Sequence, residues 1–168
     1  MEHHGFPVHA VCCNMAGSNH DILGTLGITK AKAYFVNPVD IKRKVHFFCD
    51  VPHLVILIRN NLLDHDIRTP SGMVSKESLC ELVTYQKGVF KPASKINEKH
   101  ILVRGTERQK VASAVQLLSN SVGLALSHLM THNKLKSSEC QATSDLCLLS
   151  NSWFDIFNVS SSCASSFK

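Results

Sequence analysis

Two kinds of residue in this chain could do chemistry: carboxylates at the ends of secondary structure, and polar side chains at helical spacing. Asp50 follows the alternating run Lys44 to Cys49 and precedes Pro52, so it stands where a strand gives way to a helix. A carboxylate there either caps the helix or faces a site at the carboxyl end of a sheet, and the spacing leaves both uses open. Asp155 and Asn158, three residues apart, share one face of a helix. An ionised carboxylate can accept two hydrogen bonds from one planar partner, but it serves equally well as a solvated or capping group. His128 and His132 are four apart and precede Cys140 and Cys147. On a helix the two imidazoles could share a metal, yet the spacing fits no common zinc module, and no metal ligand set is assigned. There is no GxxxxGK(S/T), so any nucleotide site here is not a P-loop.

The elements that must position these residues are set by composition and pattern. The 168 residues are 44% hydrophobic and 18% charged, which excludes bulk disorder and suits one ordinary domain or two small ones. The net charge of +5 is compatible with nucleic acid and equally with a solvated basic surface. Apolar runs fall far short of the ~20 residues that span a bilayer, and the first ten residues lack the pattern of a secretory signal. Seven cysteines, an odd number without a C-x-x-C pair, read as reduced intracellular thiols.

Residues 6–13, FPVHAVCC, predict a short buried strand, followed by a turn and a helix to about Leu26 that Ser18 or Asn19 could cap and Gly27 could stop. Ala33 to Val36 is a short extended piece and Asn37-Pro38 a turn. KVHFFC is a mostly buried strand, and Leu54, Leu57, Ile58 and Leu62 mark the helix after it. Strand, helix, strand, helix implies parallel neighbours in an α/β layer. Two such strands do not make a stable sheet alone. Thr69-Pro70-Ser71-Gly72 is a loop signal, and a domain boundary is placed there. Beyond it no strand is expected. Ser75 can cap a helix carrying Leu79, Leu82 and Val83, and Thr106 with Gln109 has capping-box spacing. The apolar residues Val111, Ala114, Val115, Leu118, Val122, Ala125, Leu126 and Leu129 predict one continuous amphipathic helix. A last helix runs from Ala142 to about Asn158, and the Ser-rich tail is expected to fray.

The segment DVPHLVILIRNNLL resembles the D-(A/V/P)-PHL-(I/L)-K-xx-RNN-L segment of P-element-type DNA transposases, including the THAP-domain transposases, although Ile56 stands where that family usually has Lys. VCCNMAGSNHDILGTLGIT, KINEKH, KVASAVQLLSNSVGLAL and ATSDLCLLSNSWFDIFNVSS are similar to further segments of the same family, in the same order and over almost the whole chain. The resemblance implies an α/β fragment of ribonuclease-H-like strands and helices over residues 1–68. A mostly α-helical GTP-binding insertion domain, its full extent left open, would follow over 69–160, with a disordered tail at 161–168. It places the family's metal-binding Asp at Asn14, where an amide cannot help hold Mg²⁺. No catalytic set is intact, and Asp50 is only a candidate. It places a guanine site on Asp155 and Asn158, a phosphate contact on Lys95, and further lining positions on Val111 and Ser119.

The function this implies is that of a fragment of a P-element/THAP-type transposase, inactive in DNA cleavage on its own. The alternative is a domesticated nucleotide- or protein-binding module without nuclease activity. The resemblance further implies GTP as ligand, Mg²⁺ in the catalytic domain but not here, DNA as partner of the full-length protein and a nuclear location, while the short apolar runs imply no membrane. Whether the chain forms an oligomer stays open, as does its standing as an enzyme.

Overall fold

The computed structural model describes residues 5–88 and 90–158. The expected fraying at 161–168 lies outside the described residues. The chain forms two compact units, Met1–Leu54 and Val55–Lys168.

In the first unit, β1 (Ala10–Cys13), β3 (Lys44–Cys49) and β2 (Tyr34–Val36) form a three-stranded sheet in the order β1-β3-β2. β1 lies parallel to β3, with Ala10 opposite His46 and Cys13 opposite Cys49. β2 is antiparallel to β3, pairing Tyr34 with His46. The expected parallel neighbours are present, and the extended piece at 33–36 completes the sheet. Helix α1 (Gly17–Thr25) follows β1. It ends in a Schellman motif: Gly27, at φ +66°, donates to Gly24 O, and Ile28 donates to Leu23 O across 2.9 Å. Neither Ser18 nor Asn19 caps α1. The cap position is Ala16, without a side-chain bond, because Asn19 turns back onto Asn14.

The two strands read as buried are not. Three of the four β1 residues are exposed, and in β3 only Val45 is buried. Within this unit the reason is the thin layer: a three-stranded sheet beside a helix that buries no residue cannot enclose both faces of its strands.

Helix α2 (Val51–Asp64) starts directly after β3. Pro52 occupies its first turn, where a missing N–H leaves no bond unmade. In the second unit, β4 (Ile67–Thr69) and β5 (Gly72–Val74) form a two-stranded hairpin pairing Ile67 with Val74. A strand therefore follows Pro70 where none was expected. The Pro-Ser-Gly signal is the hairpin turn, closed by Thr69 Oγ1 donating to Gly72 O across 2.8 Å. Gly72 takes φ +133°, a backbone geometry closed to other residues.

Helix α3 (Lys76–Tyr85) is capped by Ser75, whose Oγ accepts from Glu77 N. A short α4 (Glu98–Ile101) is capped by Asn97. Thr106 and Gln109 do not form a capping box. They lie within a 3₁₀ turn, Gly105–Gln109, that begins after Arg104 without a side-chain cap. The continuous helix expected over 111–129 is two helices, α5 (Val111–Leu117) and α6 (Asn120–Thr131). Ser119 between them is extended, at φ −87° and ψ 159°. Ser and Asn favour such cap positions, and the apolar rhythm passes through the break because Leu118 and Val122 both stay buried.

α7 (Cys140–Phe157) completes the unit and packs most extensively on α6. At that contact Ser144 Oγ donates to Gly123 O across 2.7 Å. Around it lies one apolar core that includes Val55, Leu62, Leu79, Leu82, Leu117, Leu126, Leu129 and Cys147. Burial pushes the Cys147 thiol up to about 12. Arg59 of α2 is fully buried in this unit; its Nη2 donates to Arg108 O across 2.7 Å.

Candidate functional site

The carboxyl ends of β1 and β3 come together first. Because Cys13 lies opposite Cys49, the next residues, Asn14 and Asp50, leave the sheet at the same end. Asp50 N–H donates to Cys13 O across 2.9 Å, and Asp50 O accepts from Leu54 N, the first bond of α2. Asn14 has no carboxylate to offer, and its amide is already used. Its Oδ1 accepts from Ala16 N at 3.2 Å and from Asn19 Nδ2 at 2.7 Å. The neighbouring Cys49 thiol is pushed up by burial and by the nearby Cys13 and Cys12, and it donates to Met15 Sδ. A divalent cation of the Mg²⁺ type needs several hard oxygen ligands with negative charge. One carboxylate beside an occupied amide does not meet that need, and no group of three or more His, Cys, Asp or Glu residues suited to a metal occurs among the described residues. His128 and His132 do meet, with ring centroids 4.3 Å apart, but His132 Nδ1 lies 2.9 Å from His128 O, while Cys140 and Cys147 are buried.

The second group gathers at the end of α7. Asn151, Asp155 and Asn158 recur at i, i+4 and i+7 and so form a polar row on one helix face. Asn158 closes the helix, its N–H donating to Phe154 O. Asp155 is exposed, and its Oδ2 accepts from Asn151 Nδ2 at 2.6 Å. Asn151 Oδ1 in turn accepts from the backbone N–H of Asn120 at 3.0 Å, the first residue of α6. Through Asn151, therefore, Asp155 is tied to the position directly after Ser119. Val111 opens α5 and packs partly buried on the core. Lys95 is exposed in the turn before α4, and its neighbours Ser94 and Ile96 line a surface cavity of about 550 Å³ together with Lys87, Lys91 and Glu98. His100 Nε2, 2.8 Å from Gln116 Oε1, ties α4 to α5. The structure thus ties Asp155, through Asn151, to Asn120, the residue after Ser119; Lys95 lies in the turn before α4 and Val111 opens α5. Asn151 and Asn120 were missed in the sequence; the four-residue spacing from Asn151 to Asp155 was the available signal.

The profile of the family described as "TNP-like, GTP-binding insertion domain" matches residues 52–168, more than half of the chain. The chain belongs to this family. It is also homologous to two curated transposases. It is 33% identical over 155 residues to the "Transposable element P transposase" of Drosophila melanogaster, covering 92% of this chain and 20% of that protein. It is 31% identical over 165 residues to the human "DNA transposase THAP9", covering 92% of this chain and 18% of that protein. The chain therefore spans about a fifth of the length of these relatives. Among solved structures, the "Drosophila P element transposase strand transfer complex" matches with a TM-score of 0.88 at 30% identity, over 99% of this chain and 38% of that one. The insertion-domain family thus accounts for the helical unit, and the structural likeness extends over the small sheet before it. The match supports the reading of the chain as a transposase fragment of α/β type.

Proposed function

We propose that this chain is the part of a P-element/THAP-type transposase in which the end of a ribonuclease-H-like domain passes, across α2 and β4, into a helical insertion that binds GTP. The observation that carries the reading is the match to an insertion family described as GTP-binding, over residues 52–168. Asp155 would accept from the N1–H and exocyclic amine of guanine. Its two oxygens together offer four lone-pair directions, so the bond from Asn151 leaves capacity for both. Asn158 lies one turn on along the same face, and Lys95 would face phosphate. Val111 and Ser119 would line the nucleotide. DNA, and a nuclear location, belong to this proposal through the transposase relatives.

The chain is proposed to be inactive in DNA cleavage on its own, since Mg²⁺ does not fit Asn14 and Asp50 as they stand. The engagement of Asn14 in a turn also favours the second reading, a domesticated nucleotide- or protein-binding module. The two readings differ in whether the chain still joins the remaining transposase parts on DNA.

Titration calorimetry with GTP, ATP and guanosine tests the nucleotide site. Asp155→Asn keeps the shape but loses a charge-assisted contact of about 1.5–3 kcal/mol, roughly ten- to a hundredfold in affinity. Lys95→Ala is expected to weaken GTP and GDP more than guanosine. Equal affinity for ATP, or indifference to Asp155→Asn, overturns the guanine site.

A further inference from the structure

We infer that Asn151 is a positioning residue that fixes the guanine-reading carboxylate of Asp155 by referring it to the backbone of α6. The inference rests on the guanine site proposed above and adds a determinant of its selectivity.

The argument begins with an amide that has one allowed orientation. The N–H of Asn120 opens α6, where no preceding turn supplies an acceptor. The side chain of Ser119 does not cap it. Asn151 Oδ1 takes this N–H at 3.0 Å, so the amide oxygen of Asn151 is committed to α6. Its Nδ2 must then face the other way, and it donates to Asp155 Oδ2 at 2.6 Å. Reversing the amide would set an NH₂ group against an N–H and a carbonyl oxygen against a carboxylate, two repulsive contacts in place of two bonds. Asp155 Oδ1 takes no hydrogen bond from the described residues. One oxygen is therefore held, and with it the plane of the carboxylate, while the other remains open to a ligand.

A fixed carboxylate plane matters for one class of ligand. Guanine offers two parallel donors, N1–H and the 2-amino group; hypoxanthine offers N1–H alone. A carboxylate held in plane meets both donors of guanine, whereas one free to rotate gains little from the second. Asn151 should therefore govern the preference for GTP over ITP more than the affinity for phosphate, which falls to Lys95.

The test is calorimetry of the full chain with GTP, ITP and guanosine, using wild type, Asn151→Ala, Asn151→Asp and Asp155→Asn. Wild type is expected to favour GTP over ITP by about tenfold, the worth of one hydrogen bond to a charged group. Asn151→Ala should lower that preference at least about threefold while leaving the ratio of GTP to guanosine affinity unchanged. Asn151→Asp keeps an acceptor for Asn120 N–H but faces Asp155 with a like charge. It should melt closer to wild type than Asn151→Ala does and still lose the preference. A merely structural role for Asn151 would weaken all three ligands alike. If Asp155→Asn abolishes the GTP preference while both Asn151 variants retain it, the inference is overturned and the guanine site stands. If wild type does not distinguish GTP from ITP, or Asp155→Asn has no effect, the site itself is overturned and the inference with it.

Discussion

The backbone N–H of Asp50 donates to the carbonyl of Cys13 across 2.9 Å, extending the parallel pairing of β1 and β3 by one step. That bond holds Asp50 beside Asn14 at the carboxyl end of the sheet. A second carboxylate at Asn14 would let the two share a cation. An amide occupied by Asn19 does not.

The first prediction follows directly. Purified chain with Mg²⁺ or Mn²⁺ should leave supercoiled DNA intact and join no strand ends. Asn14→Asp should not restore cleavage, because two carboxylates remain fewer than the oxygen donors such a metal pair needs. Metal-dependent nicking that disappears with Asp50→Ala would contradict this reading.

Protection against hydrogen exchange should divide the chain. The β3 amides belong to a three-stranded sheet in which only Val45 of that strand is buried. Helix α6 buries Val122, Ala125, Leu126 and Leu129. Local opening should thus expose Lys44 to Cys49 well before Val122 to Leu129. Equal protection in both stretches would show that the sheet is stabilised beyond what its own unit supplies.

Gly123 sets the closeness of α6 and α7. A Cβ there would lie 2.8 Å from Leu148 Cγ and Cδ2 and 3.1 Å from Ser144 O. Overpacking of this kind costs about 1–3 kcal/mol, and the better helix propensity of Ala returns up to ~1 kcal/mol. Gly123→Ala should therefore lower stability by about 1 kcal/mol in urea denaturation, and Gly123→Leu by considerably more. A stabilised Gly123→Ala would mean that the Leu148 side chain moves aside freely.

Acid should weaken the second unit. Arg108 beside Asp64 holds that carboxyl below its ordinary value, with bonds to both carboxylate oxygens. Ser75 does the same for Glu77, Lys87 for Glu98, and Ser137 for Glu139. Each group binds its proton less readily folded than unfolded. Their contribution is present above the ordinary carboxylate range and is lost as pH falls through the depressed values, below about pH 4. The melting temperature should hold above about pH 4 and fall as pH drops below it, and Arg108→Met should flatten that fall. An unchanged profile in Arg108→Met would show that the pair with Asp64 is fully screened by solvent.

Much of this architecture was legible because local pattern and tertiary role agreed. The joint from KVHFFC to DVPHL reads as strand into helix on alternation and Pro52, but the stripe Leu54, Leu57, Ile58 and Leu62 does not name the buried face, since α2 buries Val55, Ile56, Arg59, Leu62 and Leu63 and exposes Leu57. Gly27 stops α1 as its conformational freedom suggests. The break at Ser119 was hidden because the apolar stripe runs through it undisturbed; what separates the helices is partly a tertiary bond, Asn151 to Asn120, whose partners lie 31 residues apart. The hairpin of β4 and β5 was hidden because three-residue strands are too short for a period to show. The exposure of β1 depends on how many layers surround it, which no local run encodes. At the candidate site, Asp155 and Asn158 were singled out by the family resemblance, since their spacing fits a solvated or capping carboxylate as well, whereas Asn151 gained meaning only once α6 was beside α7.

The interruption at Leu118 and Ser119 also sets an order of assembly. As one rod, 111–131 could form early from local bonds alone. Cut into helices of 7 and 12 residues, neither piece exceeds the ~12–15 residues at which an isolated helix becomes even marginal in water. The 18-residue α7, the longest of the described helices, lies beyond that range, and the short connection 132–139 brings α6 onto it at little entropic cost. Folding should thus begin at the α6–α7 pair, with α5 added afterwards. Substitutions at Leu126 would then slow folding, while those at Leu117 would mainly speed unfolding.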